Sequence, residues 1–553
     1  MTSNPFHSKP ISQRNLWLLL LTFALIWFSN LDYRHLVKPD EGRYAEIPRE
    51  MVATGDWTTP RLNDIKYFEK PALQYWTTAT AYSLFGEHEW TARLWSGLTG
   101  FAGVLLAFFA ARRLFGAEAG LYSALVVGSS FLYVGIGHIN TLDMGVTFFM
   151  TLGLFGFLLA QHASATPKEN RVWMHITWAA LACSVLSKGL IGMALPGAVL
   201  VLYTLIQRDW GLWKRLHLLT GLGLFLLITA PWFIAVSLAN PEFFHFFFIH
   251  EHFQRFLTKA HGRFHPWHYF VPIMLLGILP WLVLMFESLF KAWKRDDTQG
   301  FQARRFLLIW VVFIYFFFSI SSSKLPSYIL PVFPALALLI GDLLVKLEAR
   351  QIFWRMLPIV VLAALGLIFS PFSVLFASDT VPLPLYEKYR LWIVVAAAIW
   401  LLGSALALLW VWQRQIRRAL ILFAFTALIA YQLLLSGHES LAPSNSSNYL
   451  AEQIKPHLKP GIPFYSVNMY DQTLPFYLKR TFTLVAYKDE LGFGLQQEPE
   501  KWIPDMPTFK QMWSNGTYAL AIMTPDTFDL LHNQGLPMQE IARDTRRVVV
   551  RTP

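Results

Sequence analysis

Long apolar runs separated by short polar segments make up most of the first 436 residues. A helix that crosses a membrane needs roughly 17 to 25 mostly apolar residues. These runs predict about thirteen spans, at 15–30, 92–112, 119–138, 144–162, 172–187, 189–207, 216–238, 268–291, 305–321, 327–346, 355–377, 390–412 and 418–436. A shorter run, Pro71 to Phe85, is interrupted by polar and small residues, and it predicts a helix lying along the membrane surface.

The pattern changes after residue 436. Short alternating segments predict strands at Phe464–Val467 and Tyr518–Met523, and the final Arg546–Arg551 run predicts an edge strand. Amphipathic segments predict helices at Tyr449–His457 and Pro525–Gln534. We therefore expect a polytopic α-helical membrane domain over 1–436 and an extramembrane α/β domain over 437–553.

The basic residues orient this arrangement. They cluster between apolar runs, as at Arg112-Arg113, Lys214-Arg215, Arg304-Arg305 and Arg414–Arg418. Cytoplasmic loops carry such excess Lys and Arg. With the N-terminus inside, the long loops 31–91 and 239–267 and the tail fall outside. A few cations then remain on the outer side, where they need another function: Arg43, Lys66, Lys70, Lys188, Arg255, Lys259 and Lys324.

Composition agrees with a membrane protein. The chain of 553 residues is 55% hydrophobic and only 15% charged, with a mean hydropathy of +0.40, whereas soluble domains carry roughly a quarter charged residues. The net charge of +11 does not indicate nucleic acid, because the cations sit in topology-setting loops. The single cysteine, Cys183, excludes an intramolecular disulfide. The first span lacks a following cleavage site, so we expect it to stay as an anchor.

The candidate chemistry lies in the outer segments. Asp40 and Glu41 stand side by side just after the first span, where carboxylates are costly unless water, a cation or a substrate holds them. The turn near residue 140 adds Asp143, and a break between two spans adds Lys188. Asp143 is also explained as a helix cap, and Lys188 as an interfacial lysine. Together, carboxylates, cations and aromatic residues on one side suit a lipid-linked phosphate and a sugar.

The second outer loop carries His250-Glu251-His252. Two histidines two residues apart diverge by roughly 200° on a helix, so they cannot bind one metal ion together. A Zn²⁺ site would need a ligand from elsewhere, such as Glu69 or Glu251.

These motifs resemble a known family. The Asp40-Glu41 pair, the stretch Phe68 to Trp76, Ser187-Lys188-Gly189-Leu190 and His250-Glu251-His252 are together similar to lipid-phosphosugar-dependent glycosyltransferases of the GT-C fold. Within that class the chain looks most like the lipid A aminoarabinose transferases and their protein O-mannosyltransferase relatives. The similarity covers most of the chain and is densest from Asp40 to Asp143.

The resemblance implies a role for each matching residue. Asp40 would be the catalytic carboxylate, acting as general base or as an electrostatic stabiliser of the anomeric centre. Lys70, Arg43 and Arg255 would meet the lipid phosphate. The sugar or acceptor cavity would be lined by Tyr44, Tyr67, Asp143, Lys188 and Glu41, and we expect replacement of Glu41 to be milder than that of Asp40. Glu69 and His250 would hold a structural Zn²⁺, and no cofactor is required for the reaction.

The implied function is transfer of 4-amino-4-deoxy-L-arabinose from undecaprenyl phosphate to lipid A. The implied setting is the periplasmic side of a bacterial inner membrane, with a monomeric protein surrounded by membrane lipids. Two alternatives stay open at this point. Protein O-mannosylation shares the mechanism but changes the acceptor, and a lipid or sugar transporter would also have a dozen or so spans. Charges in outer loops rather than mid-span favour an enzyme.

Overall fold

A computed structural model describes residues 11–254, 265–295 and 300–553, without the side chains of 250–254. In the described residues before 438, the regular secondary structure is helical apart from one hairpin. Its helices are α1 (Gln13–Phe28), α2 (Asp40–Thr54), α3 (Leu73–Phe85), α4 (Glu89–Phe115), α5 (Ala117–Gly128), α6 (Phe131–Gly137), α7 (Leu142–Gln161), α8 (Pro167–Lys188), α9 (Ile191–Gln207), α10 (Leu218–Ala239), α11 (Phe270–Gly277), α12 (Leu282–Ala292), α13 (Ala303–Ile320), α14 (Phe333–Val345), α15 (Ala349–Phe369), α16 (Leu383–Trp412) and α17 (Ile416–Gly437). A π-helix spans His245–Gln254.

Among the described residues, eight helices are long and apolar enough to cross a membrane. The number rises to ten if α5 with α6 and α11 with α12, which bend by 66° and 113°, each form one broken span. Two shorter apolar helices, α1 and α9, lie outside that count. The finding supports a polytopic membrane protein, while the number of about thirteen crossings stays a prediction. The helix expected over Pro71–Phe85 is present as α3, Leu73–Phe85, and its position along the membrane surface stays a prediction.

The tail forms a six-stranded sheet flanked by helices. Its strands are β3 (Phe464–Val467), β4 (Thr483–Val485), β5 (Trp502–Ile503), β6 (Leu520–Met523), β7 (Gln539–Arg543) and β8 (Val548–Arg551), in the order β5-β4-β3-β6-β8-β7. The helices are α18 (Ala442–Asn445), α19 (Asn448–Ile454), α20 (Leu474–Leu478), α21 (Gly492–Gln497), α22 (Met506–Trp513) and α23 (Pro525–Asn533). Strands β3 to β6 pair in parallel, and β8 pairs antiparallel with both β6 and β7.

The prediction that Arg546–Arg551 forms an edge strand is wrong. Strand β8 is covered on its outer side by β7. The segment Gln539–Arg543 is mostly exposed, so its sequence lacks the apolar alternation that marks a strand. Because the sequence pattern did not predict β7, it placed the last strand at the edge of the sheet.

The tail and the first outer loop share one hydrophobic core. A short hairpin, β1 (Arg61–Leu62) and β2 (Ile65–Lys66), follows α2. Buried residues of α2, the hairpin and α3 pack with buried residues of the tail in one cluster, which includes Tyr44, Ile47, Leu62, Ile65, Tyr75, Leu450, Phe464, Leu484 and Ile522. The α/β unit is therefore docked on the segment that carries the acid pair.

The hairpin turn shows how close this docking is. Asn63 and Asp64 have positive φ angles of 58° and 60°, and their backbone N–H groups donate to the Glu50 carboxylate at 2.5 and 2.7 Å. The Asn63 side chain in turn pairs with the backbone N–H and C=O of Phe482 at 2.7 and 2.8 Å. The turn therefore links helix α2 to Phe482, the residue just before β4.

Candidate active site

Helix α2 begins at Asp40, and both acids of the pair lie in its first turn. Negative charge is favourable at a helix N-terminus because of the exposed N–H groups there. The Asp40 side chain keeps 36% of its surface accessible, whereas that of the neighbouring Arg43 keeps 8%. Arg43 Nη1 donates to Asp40 Oδ1 at 3.1 Å. The buried guanidinium of Arg43 therefore holds the accessible carboxylate of Asp40.

Arg43 has a second carboxylate partner, Glu490 from the tail. Its Nη2 forms an ion pair with Glu490 Oε2, and Gln472 Nε2 donates to the other oxygen of Glu490 at 2.6 Å. Burial raises the pKa of Glu490, and the Arg43 charge opposes that shift. Arg43 thus lies between an acid of the first loop and an acid of the C-terminal unit.

Charges from three separate segments converge on Tyr44. Burial is the main cause of its raised pKa, and the charges of Asp40, Glu69 and Asp143 raise it further while Arg43 lowers it. The ring of Tyr44 stacks on Tyr75 with centroids 6.3 Å apart. The Arg43 guanidinium lies 5.7 Å from the Tyr44 ring and 6.0 Å from the Tyr67 ring. The structure therefore brings together most of the predicted site residues that it describes.

Asp143 and Lys188 form an ion pair between α7 and α8. The Lys188 ammonium also lies 4.8 Å from the centre of the Tyr328 ring, and the Asp40 charge acts on it. Lys188 is thus part of the charged group around Asp40 rather than a lone interfacial lysine. Asp143 does lie in the first turn of α7, but its carboxylate faces a cation.

Glu41 does not join this group. Arg93 donates to both of its carboxylate oxygens at 2.7 and 2.9 Å, and the backbone N–H groups of Val37 and Asn140 donate to them as well, each at 3.0 Å. Burial alone would raise the pKa of Glu41, but the charge and hydrogen bonds of Arg93 hold that pKa at about 2. The prediction that Glu41 lines the cavity is wrong, because its buried carboxylate already accepts four hydrogen bonds inside the protein.

Lys70 and Glu69 lie side by side, partly buried. Lys70 Nζ donates to the Glu69 backbone carbonyl at 2.8 Å and lies 3.9 Å from its carboxylate. Two further predicted residues fall outside the described part: Arg255 altogether, and His250 in its side chain. The described residues hold no group of three or more metal-binding side chains. Glu69 alone supplies fewer ligands than a structural Zn²⁺ needs.

Several residues at the site were not predicted from the sequence: Arg93, Tyr75, Tyr328, Gln472 and Glu490. Arg93 did carry a signal, since it is an arginine on a mostly apolar helix and such a charge needs a partner. The tail residues carried none, because polar residues of an α/β unit are ordinarily solvated. Only the docking of the tail brings Glu490, with its partner Gln472, to Arg43.

The arrangement suits an anionic substrate with a sugar. The accessible Asp40 carboxylate is held by Arg43, whose guanidinium lies over the Tyr44 and Tyr67 rings, and Lys188 lies over the Tyr328 ring. Cations next to a membrane can bind a phosphate, and the placed carboxylate can accept a proton or face developing positive charge.

Comparison with known proteins gives consistent results. The family model "Dolichyl-phosphate-mannose-protein mannosyltransferase" matches residues 13–247, and "Aminoarabinose transferase C-terminal domain" matches residues 450–552. The undecaprenyl phosphate-alpha-4-amino-4-deoxy-L-arabinose arabinosyl transferase of Aeromonas salmonicida is 38% identical over 328 residues, 59% of each chain. That of Shewanella sediminis is 32% identical over 382 residues, 68% of each chain. The chain thus spans about three-fifths of the first curated relative.

A solved structure extends the match. The crystal structure of ArnT from Cupriavidus metallidurans bound to undecaprenyl phosphate is 43% identical, with a TM-score of 0.93 and 98% of both chains covered. The likeness confirms the predicted GT-C fold with its C-terminal unit, and it confirms the resemblance inferred from the motifs.

Proposed function

Because this chain belongs to the family of undecaprenyl phosphate-4-amino-4-deoxy-L-arabinose arabinosyl transferases, which are membrane glycosyltransferases, we propose that it modifies lipid A. The reaction moves 4-amino-4-deoxy-L-arabinose from undecaprenyl phosphate to a lipid A phosphate. Such a modification lowers the negative charge of lipopolysaccharide, so it would give resistance to polymyxin and other cationic peptides.

One observation carries the proposal. The chain matches ArnT over 98% of both chains at 43% identity, and that ArnT was crystallised with undecaprenyl phosphate bound to it. The geometry supports the same conclusion from the residues themselves. The charges of Asp40 and Arg43 on α2, of Glu69 in the following loop and of Asp143 on α7 all affect the pKa of Tyr44, so three segments of the chain meet there.

The site residues divide between the two parts of the donor. Lys70, together with Arg255 and Arg43, would bind the lipid phosphate, whose charge must be compensated when it leaves water. Tyr44, Tyr67, Asp143 and Lys188 would line the sugar cavity. Glu69 and His250 remain the proposed positions for a structural Zn²⁺, and the transfer itself needs no cofactor.

The reaction breaks the bond between the anomeric carbon and the phosphate oxygen of undecaprenyl phosphate. An oxygen of the lipid A phosphate forms the new bond to that carbon, and undecaprenyl phosphate leaves with the electron pair. Lys70 stabilises the charge that develops on the leaving phosphate, an effect worth about 3 to 4 kcal/mol for a well-placed donor. Asp40 removes a proton from the acceptor or stabilises positive charge at the anomeric centre.

The proposed setting follows from the positive-inside pattern. The acid pair and the α/β unit face the periplasm from the bacterial inner membrane, and we also propose that the protein is a monomer. Donor and acceptor are both lipids, so both would reach the site from the bilayer.

The test uses purified protein in vesicles with undecaprenyl phosphate-aminoarabinose and lipid A. We expect lipid A to gain the mass of one aminoarabinose unit, dependent on the protein. Unmodified lipid A with active, correctly inserted protein would refute the proposal.

A second candidate is protein O-mannosylation, favoured by the family match over residues 13–247. The same vesicles supplied with polyprenyl phosphate-mannose and a serine- or threonine-containing peptide distinguish the two. Uptake of labelled donor without product would instead indicate a transporter.

A further inference from the structure

A continuous line of polar contacts leads from the C-terminal unit to Asp40. Gln472 donates to Glu490 at 2.6 Å, Glu490 pairs with Arg43, and Arg43 donates to Asp40 at 3.1 Å. The side chains of Glu490 and Arg43 are only 11% and 8% accessible, whereas that of Asp40 is 36% accessible. The line therefore starts inside the tail and ends at the accessible carboxylate.

The backbone holds the same two parts together. A Cβ atom at Gly42 would lie 2.4 Å from the carbonyl oxygen of Gln472, far closer than any real contact. Helix α2 and the tail thus touch directly beside Asp40. Any shift of the tail against α2 would move Glu490, and with it the guanidinium that holds Asp40.

We propose that Glu490 is a positioning residue for the transfer reaction, and that it fixes the Asp40 carboxylate through Arg43. The inference rests on the proposed function. It gives the C-terminal unit a direct part in the active site, because one of its side chains sets the geometry of the reacting carboxylate.

Charge balance explains why two carboxylates share one cation. Paired with Arg43 alone, Asp40 would form a neutral pair, and its charge would be largely cancelled toward the sugar. With an ionised Glu490 also on Arg43, the three groups carry one net negative charge, which can face positive charge that develops on the sugar. The planar fork of a guanidinium holds two carboxylates at more closely defined angles than the flexible ammonium of a lysine does.

This arrangement also changes the expected role of Arg43. Its guanidinium is held by two carboxylates, so a donor phosphate would have to displace one of them. The positioning role makes Arg43 act mainly on Asp40, and it leaves phosphate binding to Lys70 and Arg255.

The chain offers a matched control in Glu498. It is a second carboxylate of the tail that binds an arginine of the first loop, with Arg61 Nη1 at 2.9 Å, and it also pairs with Lys501 at 3.1 Å. Glu498 contributes to the same docking surface, where it also accepts the backbone N–H of Lys66 at 3.0 Å, but none of these partners contacts Asp40 among the described residues. A loss of docking alone should therefore affect both variants equally.

The experiment compares Glu490→Gln, Glu490→Asp and Glu498→Gln with the wild type. We measure kcat, the donor KM, the pH profile of kcat and the melting temperature of each. For Glu490→Gln we expect kcat to fall about tenfold or more, the acidic limb of the pH profile to shift, and the donor KM to stay within about twofold. Glu490→Asp should recover part of kcat. Glu498→Gln should lower the melting temperature only.

Three results would overturn the inference. The first is an unchanged kcat and pH profile in Glu490→Gln. The second is an equal loss of kcat in Glu490→Gln and Glu498→Gln. The third is a raised donor KM with normal kcat in Glu490→Gln. The last would mean that Glu490 contacts the donor, or that Arg43 serves its phosphate. Absence of transfer by the wild type would refute the proposed function instead. If Glu490→Gln fails to fold, Gln472→Ala provides the test instead, because Gln472 donates to Glu490. This variant should shift the pH profile of kcat in the direction expected for Glu490→Gln.

Discussion

Arg93 donates all five of its side-chain N–H groups around Glu41. Two go to the Glu41 carboxylate, at 2.7 and 2.9 Å, and three go to the backbone carbonyls of Leu31, Arg34 and His35, at 2.6 to 3.0 Å. Glu41 also accepts the backbone N–H of Asn140, three residues before Asp143. The second acid of the pair therefore ties the start of α2 to the turn that precedes α7.

The first prediction follows from that burial. Glu41→Gln should destabilise the fold by about 3 to 5 kcal/mol, because breaking a buried pair leaves an uncompensated charge. The effect on stability should exceed that of Asp40→Asn, while the milder loss of transfer activity expected from the sequence for Glu41→Gln stays a prediction. Denaturation in detergent measures it.

The control for this prediction is Glu452→Gln, which removes an exposed pair with Lys455. Exposed pairs contribute about 0.2 to 1 kcal/mol. Equal stability losses in Glu41→Gln and Glu452→Gln would contradict the structural role of Glu41.

The second prediction concerns the lipid phosphate. Lys70→Ala should lower kcat/KM for the donor about tenfold to a hundredfold, because a charged hydrogen bond to the phosphate is worth about 1.5 to 3 kcal/mol. Arg255→Ala should act in the same sense, and the double variant should lose less than the sum, since both serve one phosphate. Initial rates against donor concentration provide the measurement.

The matched cation control is Lys455→Ala, an exposed lysine of the tail, which should leave kcat/KM for the donor unchanged. Lys324 is less suitable, because its ammonium donates to the backbone carbonyl of His265 at 2.9 Å and its loss would disturb that contact. Full additivity of Lys70→Ala and Arg255→Ala would place the phosphate elsewhere.

The sequence predicted the elements of the site better than their contacts. Asp143 and Lys188 were expected in the same cavity, and the structure pairs them. The strand Phe464–Val467 is confirmed, since its apolar run is buried on both faces. These features depend on local pattern, which a single sequence carries.

The contacts that the sequence did not predict depend on packing between distant parts of the chain. Glu490 meets Arg43 although the two are far apart in the chain, and no local signal distinguishes Glu490 from a solvated acid. Glu41 was misjudged for the same reason. Its partner Arg93 comes from α4, and two adjacent acids in a sequence do not reveal that one faces inward on a helix while the other faces the site.

A third prediction concerns pH. Burial and the nearby charge of Glu46 raise the pKa of Glu50 from 4.5 to about 8. Between those values the folded state keeps a proton that the unfolded state has lost, so stability falls as pH rises through that window. The melting temperature should therefore be lower at pH 8 than at pH 5.5, and Glu50→Gln, which cannot ionise, should flatten the dependence. An unchanged slope in Glu50→Gln would contradict this assignment.

A fourth prediction tests the orientation. In a Cys183→Ser background, Glu500→Cys should react with a membrane-impermeant thiol reagent added to the periplasmic side, whereas Ser164→Cys should react only after permeabilisation. Both positions are exposed, so burial does not explain a difference. Protection of Glu500→Cys together with labelling of Ser164→Cys would reverse the proposed topology.

The fifth prediction tests the central claim, which is that this site transfers aminoarabinose and that Asp40 takes part. Asp40→Asn keeps the shape of an accessible side chain, so it should fold and insert normally. The measurement is the rate of aminoarabinose transfer from undecaprenyl phosphate-aminoarabinose to lipid A in vesicles, for wild type and Asp40→Asn side by side. We predict transfer by the wild type and a loss of about a hundredfold or more in the variant, at an unchanged melting temperature. Near wild-type turnover in correctly inserted Asp40→Asn would contradict the account.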